Sequence, residues 1–182
     1  LTHTPGFEDR GFGLFGETEL TRGEWLEDHL PARVRPPGTY SSYSNYATSL
    51  AGYIVERVSG LAWEDYIEAR IMQPLGMVYA TGKQPLPESL APHMSQGYSF
   101  EAGKYVAKDF ELIDASAPAG SVSASADAMA RFMIAHLQYG LLGESRILRE
   151  ETARQMYARE FGHDPRLNGF ALGFYEKSGH GV

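Results

Sequence analysis

Apolar residues recur along this chain at helical intervals, and the most sustained run lies near its middle. Tyr46, Ala47, Leu50, Ala51, Ile54 and Val58 follow the i, i+3, i+4, i+7 spacing, so the pattern predicts a helix that buries this face and stops at Gly60. Trp63, Tyr66, Ile67 and Ile71 predict a second helix over roughly 63–72, ended by Pro74 and folded back on the first as a hairpin. Upstream, Thr21-x-x-Glu24 has the form of a capping box opening a short helix through Trp25, Leu26 and Leu30 to Pro31. Downstream, Ser125 with Asp127 in the first turn opens a helix whose expected inner face is Met129, Phe132, Met133, His136 and Leu137, before Gly140. His136 reads there as a packing residue with satisfied hydrogen bonds. A last amphipathic helix is expected from about 149 to 159.

Two-residue alternation is scarce by comparison. Weak strands are expected around 97–100 and 104–110, and 169–176 reads as a further strand. Residues 1–20, rich in Gly and Phe, read as a loop with turns at Pro5-Gly6 and 11–13, and the proline-rich stretch 31–38 reads as another. Residues 73–124 carry Pro, Gly and Ser throughout and are expected to wrap over a core. There is no internal repeat. The expectation is one mainly α domain over 1–182, with a few short strands and an incomplete sheet.

Composition narrows the functions open to such a chain. Its 182 residues, 43% hydrophobic and 12% aromatic, suffice for one sizeable core. A net charge of -7, scattered rather than gathered in a basic stripe, argues against a nucleic-acid partner. Without cysteine there is no disulfide, thiol catalysis or Cys-type zinc site. No apolar run reaches the length of a membrane span. The histidines at 3, 29, 93, 136, 163 and 180 form no His-Glu-x-x-His or similar spacing, so neither a metal nor another cofactor is expected. A Gly-x-Ser-x-Gly elbow and a Walker loop are both absent. The start lacks an initiator Met and a signal-peptide core, and the end falls where a strand could begin. A piece of a longer protein is therefore expected.

The candidate chemistry lies in Pro36-Pro37-Gly38-Thr39-Tyr40-Ser41-Ser42-Tyr43-Ser44-Asn45-Tyr46. A phenol and a carboxamide stand two residues apart, after a Pro-Gly turn and immediately before the strongest helix, so both can face one cleft from a rigid element. The same letters also suit a plain helix start, because Ser and Asn are good N-caps and a tyrosine there often only packs.

The neighbourhood distinguishes the two readings. Pro37-Gly38-Thr39-x-x-x-Tyr43-Ser44-Asn45-Tyr46, the helix Leu50-Ala51-Gly52-Tyr53-Ile54-Val55-Glu56, Gly60, then Pro74-Leu75-Gly76-Met77 and Thr81 closely resemble the serine β-lactamase and penicillin-binding-protein family, in its class C-like branch. The opening Leu1-Thr2-His3-Thr4-x-Gly6 resembles that family's segment upstream of its Tyr-Ser-Asn motif. Pro118-Ala119-Gly120, with Ser123, Ser125, Asp127 and Met129-Ala130-Arg131-Phe132, resembles its later turn and capped helix.

The resemblance implies the helical lobe of an α+β fold and a serine acyl-transfer hydrolase acting on small acyl substrates: β-lactams, D-amino-acid peptides or esters. It implies an extracytoplasmic or periplasmic location. Tyr43 carries over as the proton-transfer residue and Asn45 as the ligand of the substrate amide or of a lysine, with Ser44 facing away. Phenols ionise at about pH 10, so the chemistry needs a cation beside the tyrosine. The family's nucleophile, a Ser-x-x-Lys serine, has no counterpart: Lys83, Lys104, Lys108 and Lys177 are preceded at the third position by Ala80, Glu101, Tyr105 and Phe174. By the family's layout the nucleophile is expected before Leu1 and the closing strand at or beyond Val182, leaving 1–182 inert alone. The alternative is a non-catalytic helical binding module that inherits the fold. Lys177-Ser178-Gly179 and His180-Gly181 imitate the family's third motif but read as turn chemistry, expected to be exposed and away from Tyr43 and Asn45.

Overall fold

Three of the helices begin where a side chain accepts from one of their free N–H groups. A computed structural model describes residues 1–11 and 13–178. Helix α1 (Arg22–Asp28) opens on the expected capping box, with the Thr21 hydroxyl accepting from the Glu24 N–H and the Glu24 carboxylate accepting from the Thr21 N–H at 2.8 Å. It ends at His29, so Leu30 lies outside it and is exposed. Helix α2 (Asn45–Ser59) is capped by Ser44 and closed by Gly60 in the left-handed region, φ 73°. Helix α3 (Trp63–Ile67) continues into a π-turn, Glu68–Met72, a departure from the 3.6-residue period that the apolar spacing does not foretell. The strands β1 (Ala80–Thr81), β2 (Tyr98–Glu101), β3 (Lys104–Ala107) and β4 (Ser123–Ala124) follow, then α4 (Ala126–Leu137), β5 (Leu141–Leu142), β6 (Ser145–Arg146) and α5 (Glu150–Tyr157).

The strands pair as β1 with β4, β2 with β3 and β5 with β6, all antiparallel, and among the described residues they form no larger sheet. The architecture is mainly α with a few short strands and an incomplete sheet. The two weak strands expected around 97–100 and 104–110 are present and pair as a hairpin, turned at Ala102 and Gly103, both at positive φ. The long stretch from 73 to 124 is stitched down by its own polar groups. The Ser121 hydroxyl donates to Gly82 O at 2.8 Å, Ser116 to Leu14 O at 2.8 Å, and Gln84 Oε1 accepts from the Ile113 N–H at 2.6 Å.

Two hydrophobic clusters hold these elements. One gathers Ile67, Met72, Leu75, Met77, Ala80, Ala128 and Ala135, with Trp63, Tyr66, Ile71 and Phe132 against it. The other is smaller and aromatic: Phe7, Trp25, Leu26, Tyr46 and Ala115, flanked by Ala47, Leu50 and Tyr53.

Three sequence expectations are corrected here. On α4 the buried residues are Ala128 and Ala135, while Met129, Met133 and Leu137 are exposed, Leu137 at 78%. On α2 the buried residues are Tyr46, Ser49 and Gly52, and Ile54 and Val58 face outward, Val58 at 83%. The reason is common to both: close helix packing selects small residues, and a Cβ on Gly52 would overlap the Pro118 ring. Counting large apolar side chains rotates the face toward the wrong neighbours. Finally, 169–176 is not a strand. Gly173 at φ 84° turns it back, so that Ala171 N–H donates to Phe174 O at 2.8 Å and only isolated bridges, Phe161 to Phe170 and Phe170 to Tyr175, remain.

Candidate active site

The stretch leading to Tyr43 is held by the chain's opening residues. Glu8 N–H donates to Ala32 O, Val34 N–H to Gly6 O, Gly38 N–H to Thr4 O at 2.8 Å and Ser42 N–H to His3 O at 2.7 Å, so segment 2–8 runs antiparallel beside 32–42. Gly6 is required for this approach: φ is 78°, and a Cβ there would collide with Arg35 O. The Ser41 hydroxyl adds a bond to Thr2 O at 3.0 Å.

Ser44 decides where its neighbours point. Its backbone is extended, φ -150° and ψ 111°, and its side chain is fully buried, where Oγ accepts the Ala47 N–H at 3.1 Å. Extended residues alternate sides. Tyr43 therefore faces out, at 50% exposure, and the first turn of α2 brings Asn45 round to the same side. The Tyr43 hydroxyl donates to Asn45 Oδ1 at 3.0 Å. This bond uses the phenol's proton and one acceptor of the amide, leaving the phenol's lone pairs and the Asn45 NH2 open to a ligand. Both side chains flank the N-terminus of a 15-residue helix, whose dipole favours negative charge at that end.

The aromatic cluster fixes α2 beneath the pair. Tyr46 donates from its hydroxyl to Leu26 O at 2.9 Å and meets Phe7 edge-on at 5.3 Å, and burial pushes its phenol's pKa up. Ser49 donates to Ser116 O at 3.3 Å, tying the helix to the turn Ala117–Ala119.

His3 completes the arrangement, a place that the absence of a metal-ligand spacing among the histidines does not reveal. Its ring lies 4.7 Å from that of Tyr43 and 6.2 Å from that of Tyr175, nearly parallel to the latter at 16°. Its Nδ1 accepts the Ser44 N–H at 3.4 Å, which puts the ring proton on Nε2. Burial lowers its pKa. The available signal was its place in Leu1-Thr2-His3-Thr4-x-Gly6, a segment matched as a block.

The elsewhere-prominent charges have other tasks. A groove of 1020 Å3 runs past Arg22, Tyr53, Gly60, Lys83 and Asp114, and neither Tyr43 nor Asn45 lines it. Its charges are largely mutually engaged: Arg22 pairs with Glu64 at 2.6 Å and Glu56 at 3.3 Å, Glu56 also accepts the Trp63 N–H, and Lys83 pairs with Asp65 and Glu68. These contacts lock α1, α2 and α3 together. His136 packs as expected but is only half satisfied. Tyr157 Oη lies 2.6 Å from Nδ1 and itself donates to His136 O, which leaves the buried Nε2 without a partner among the described residues, and burial lowers the ring's pKa. Lys177 is exposed, whereas Gly179, His180 and Gly181, like Phe12 in the expected turn at 11–13, lie outside the described residues.

A helical lobe with fragmentary strands, a stretch clamped by the chain's opening residues and a Tyr-x-Asn pair at a helix start define one part of the serine β-lactamase and transpeptidase-like α+β fold. The family model described as Beta-lactamase matches residues 1–182, and the chain belongs to that family. PbpX of Bacillus subtilis, a penicillin-binding protein by name, is 29% identical over 133 residues, covering 72% of this chain and 32% of its own length. The octameric penicillin-binding protein homologue from Pyrococcus abyssi superposes with a TM-score of 0.73 at 22% identity, over 96% of this chain and 42% of that one. A D-amino acid amidase from Ochrobactrum anthropi does so with a TM-score of 0.66 at 24% identity, over 86% of this chain and 45% of that one. These two likenesses concern the fold alone. The chain thus spans about a third of the curated relative and less than half of these solved structures. Among the described residues, no helix is long and apolar enough to cross a membrane.

Proposed function

We propose that residues 1–182 form a single domain, the helical lobe and one cleft wall of a serine acyl-transfer hydrolase in the class C-like branch. Tyr43 relays the proton between nucleophile and leaving group, and Asn45 holds the substrate's amide or a neighbouring lysine. The observation that carries this reading is the 3.0 Å contact between the Tyr43 hydroxyl and Asn45 Oδ1 at the N-terminus of α2, with Ser44 buried between them. Substrates are small acyl compounds, whether β-lactam, D-amino-acid peptide or ester, met outside the cytoplasm and without a cofactor. The Ser-x-x-Lys that these 182 residues do not contain is supplied by another segment of the complete protein, and 1–182 alone is inert.

The test is acylation by a fluorescent penicillin and hydrolysis of a nitrophenyl ester. The complete protein is expected to react, and Tyr43→Phe to lower its rate by roughly 10²- to 10⁴-fold with the fold intact. Turnover by 1–182 alone, abolished by Tyr43→Phe, would overturn the dependence on another segment. Unchanged kinetics in a folded Tyr43→Phe protein would leave the tyrosine as packing and favour a non-catalytic binding module.

A further inference from the structure

His3 touches three successive residues of the candidate site by three different means. Its carbonyl accepts the Ser42 N–H at 2.7 Å, its ring lies 4.7 Å from Tyr43, and its Nδ1 accepts the Ser44 N–H at 3.4 Å. To do so it adopts a left-handed backbone, φ 53°, which L-residues with a side chain rarely take up. Strain of this kind persists only where the surroundings fix it, and it gathers at working sites.

We propose that His3 is a positioning residue for Tyr43: as a neutral imidazole it receives the Ser44 N–H and braces the phenol ring, holding the rotamer in which the hydroxyl meets Asn45. The inference rests on the reading of Tyr43 as the proton-transfer residue. Protonation of Nδ1 turns an acceptor into a donor facing another donor, the Ser44 N–H, so the brace is released in acid. The groups packed against the ring are Tyr43 and Tyr175, with the charge of Asp9 nearby. Burial opposes the protonated form, whereas Asp9 favours it.

The experiment has two arms. In the first, the protein is labelled with 13C in its histidine and tyrosine rings and with 15N in its amides and titrated from pH 8 to 5, with Tyr43 assigned through Tyr43→Phe. The Tyr43 ring and Ser44 amide resonances are expected to move with the His3 midpoint, below pH 6.5. A Tyr43 ring signal that stays still while His3 titrates sinks the proposal, whatever the activity. In the second, His3→Asn in the complete protein keeps a residue tolerant of left-handed backbone and removes the ring. The acylation rate at pH 7.5 is expected to fall about 10-fold with KM within about twofold, as for a sub-ångström displacement, and the acid limb of the rate profile to vanish. Retention of that limb at full rate counts against His3. If Tyr43→Phe proves kinetically silent while the two resonances still move together, the acyl-transfer reading falls and the brace stands.

Discussion

The two hydrophobic clusters differ in kind, and the difference tracks their tasks. The cluster beneath α3 and α4 is largely Met, Leu, Ile and Ala, and Leu75 at its centre is 1% exposed. Much of it joins residues from one stretch of chain, 63–80. The cluster beneath α1 and α2 is aromatic and bordered by hydrogen bonds from Tyr46, Ser49, Ser116 and Trp25, and it joins residues as far apart as 7 and 115. Dispersion and water exclusion are non-directional, so the first cluster supplies stability but little orientation. Hydrogen bonds and ring edges have directions, and they aim α2 and the stretch before it. The candidate site stands on the cluster that orients.

If this contrast holds, the largest loss of stability comes from the aliphatic side. Leu75→Ala is expected to cost about 2–5 kcal/mol in urea unfolding while leaving the Tyr43 ring resonance in place. A shift in that resonance would erase the distinction between the clusters. Gly52→Ala probes the seam where α2 meets Pro118. Helix propensity alone favours the alanine by about 1 kcal/mol, yet the overlap with a rigid ring predicts a net loss of about 1–3 kcal/mol. A raised melting temperature would show the seam to be looser than described.

Ser44→Ala sharpens the contrast from the other side. Losing the cap is expected to cost only about 1 kcal/mol, but the Tyr43 and Asn45 resonances should both move, since Ser44 sets which way they face. The smallest effect acts on both regions through pH. His3 and His136 are each held below an imidazole's ordinary 6.5 by burial. The unfolded chain takes up a proton near pH 6.5 that the folded chain refuses, so the stability these histidines contribute is present above 6.5 and declines as pH falls toward their folded values. Urea midpoints at pH 7.5 and 5.5 should show the drop, and His136→Gln should reduce it.

Much of the fold was legible because the signals are local. The Thr21 capping box, the Ser44 and Ser125 caps, Gly60 and Pro74 mark helix limits through groups only a few residues apart. The two strands within 98–107 were legible for the same reason, though not their pairing. The faces of α2 and α4 were not, since a helix buries whatever its neighbours press against, and Pro118 and Leu75 press against Gly52 and the alanines.

The same division runs through the candidate site. By itself the sequence determined that Tyr43 and Asn45 stand two apart at a helix start, and an extended Ser44 followed by one helical turn suffices to put them on the same side. It also determined that these 182 residues hold no Ser-x-x-Lys. Only the tertiary structure decided that His3 belongs to the site, that Lys83 is engaged with Asp65 and Glu68, and that 169–176 turns back to bring Tyr175 against His3. The physical reason is range. A cap or a turn is settled by bonds within one stretch of backbone, whereas a stack between residues 3, 43 and 175 exists only once the folded chain has brought three distant stretches into contact.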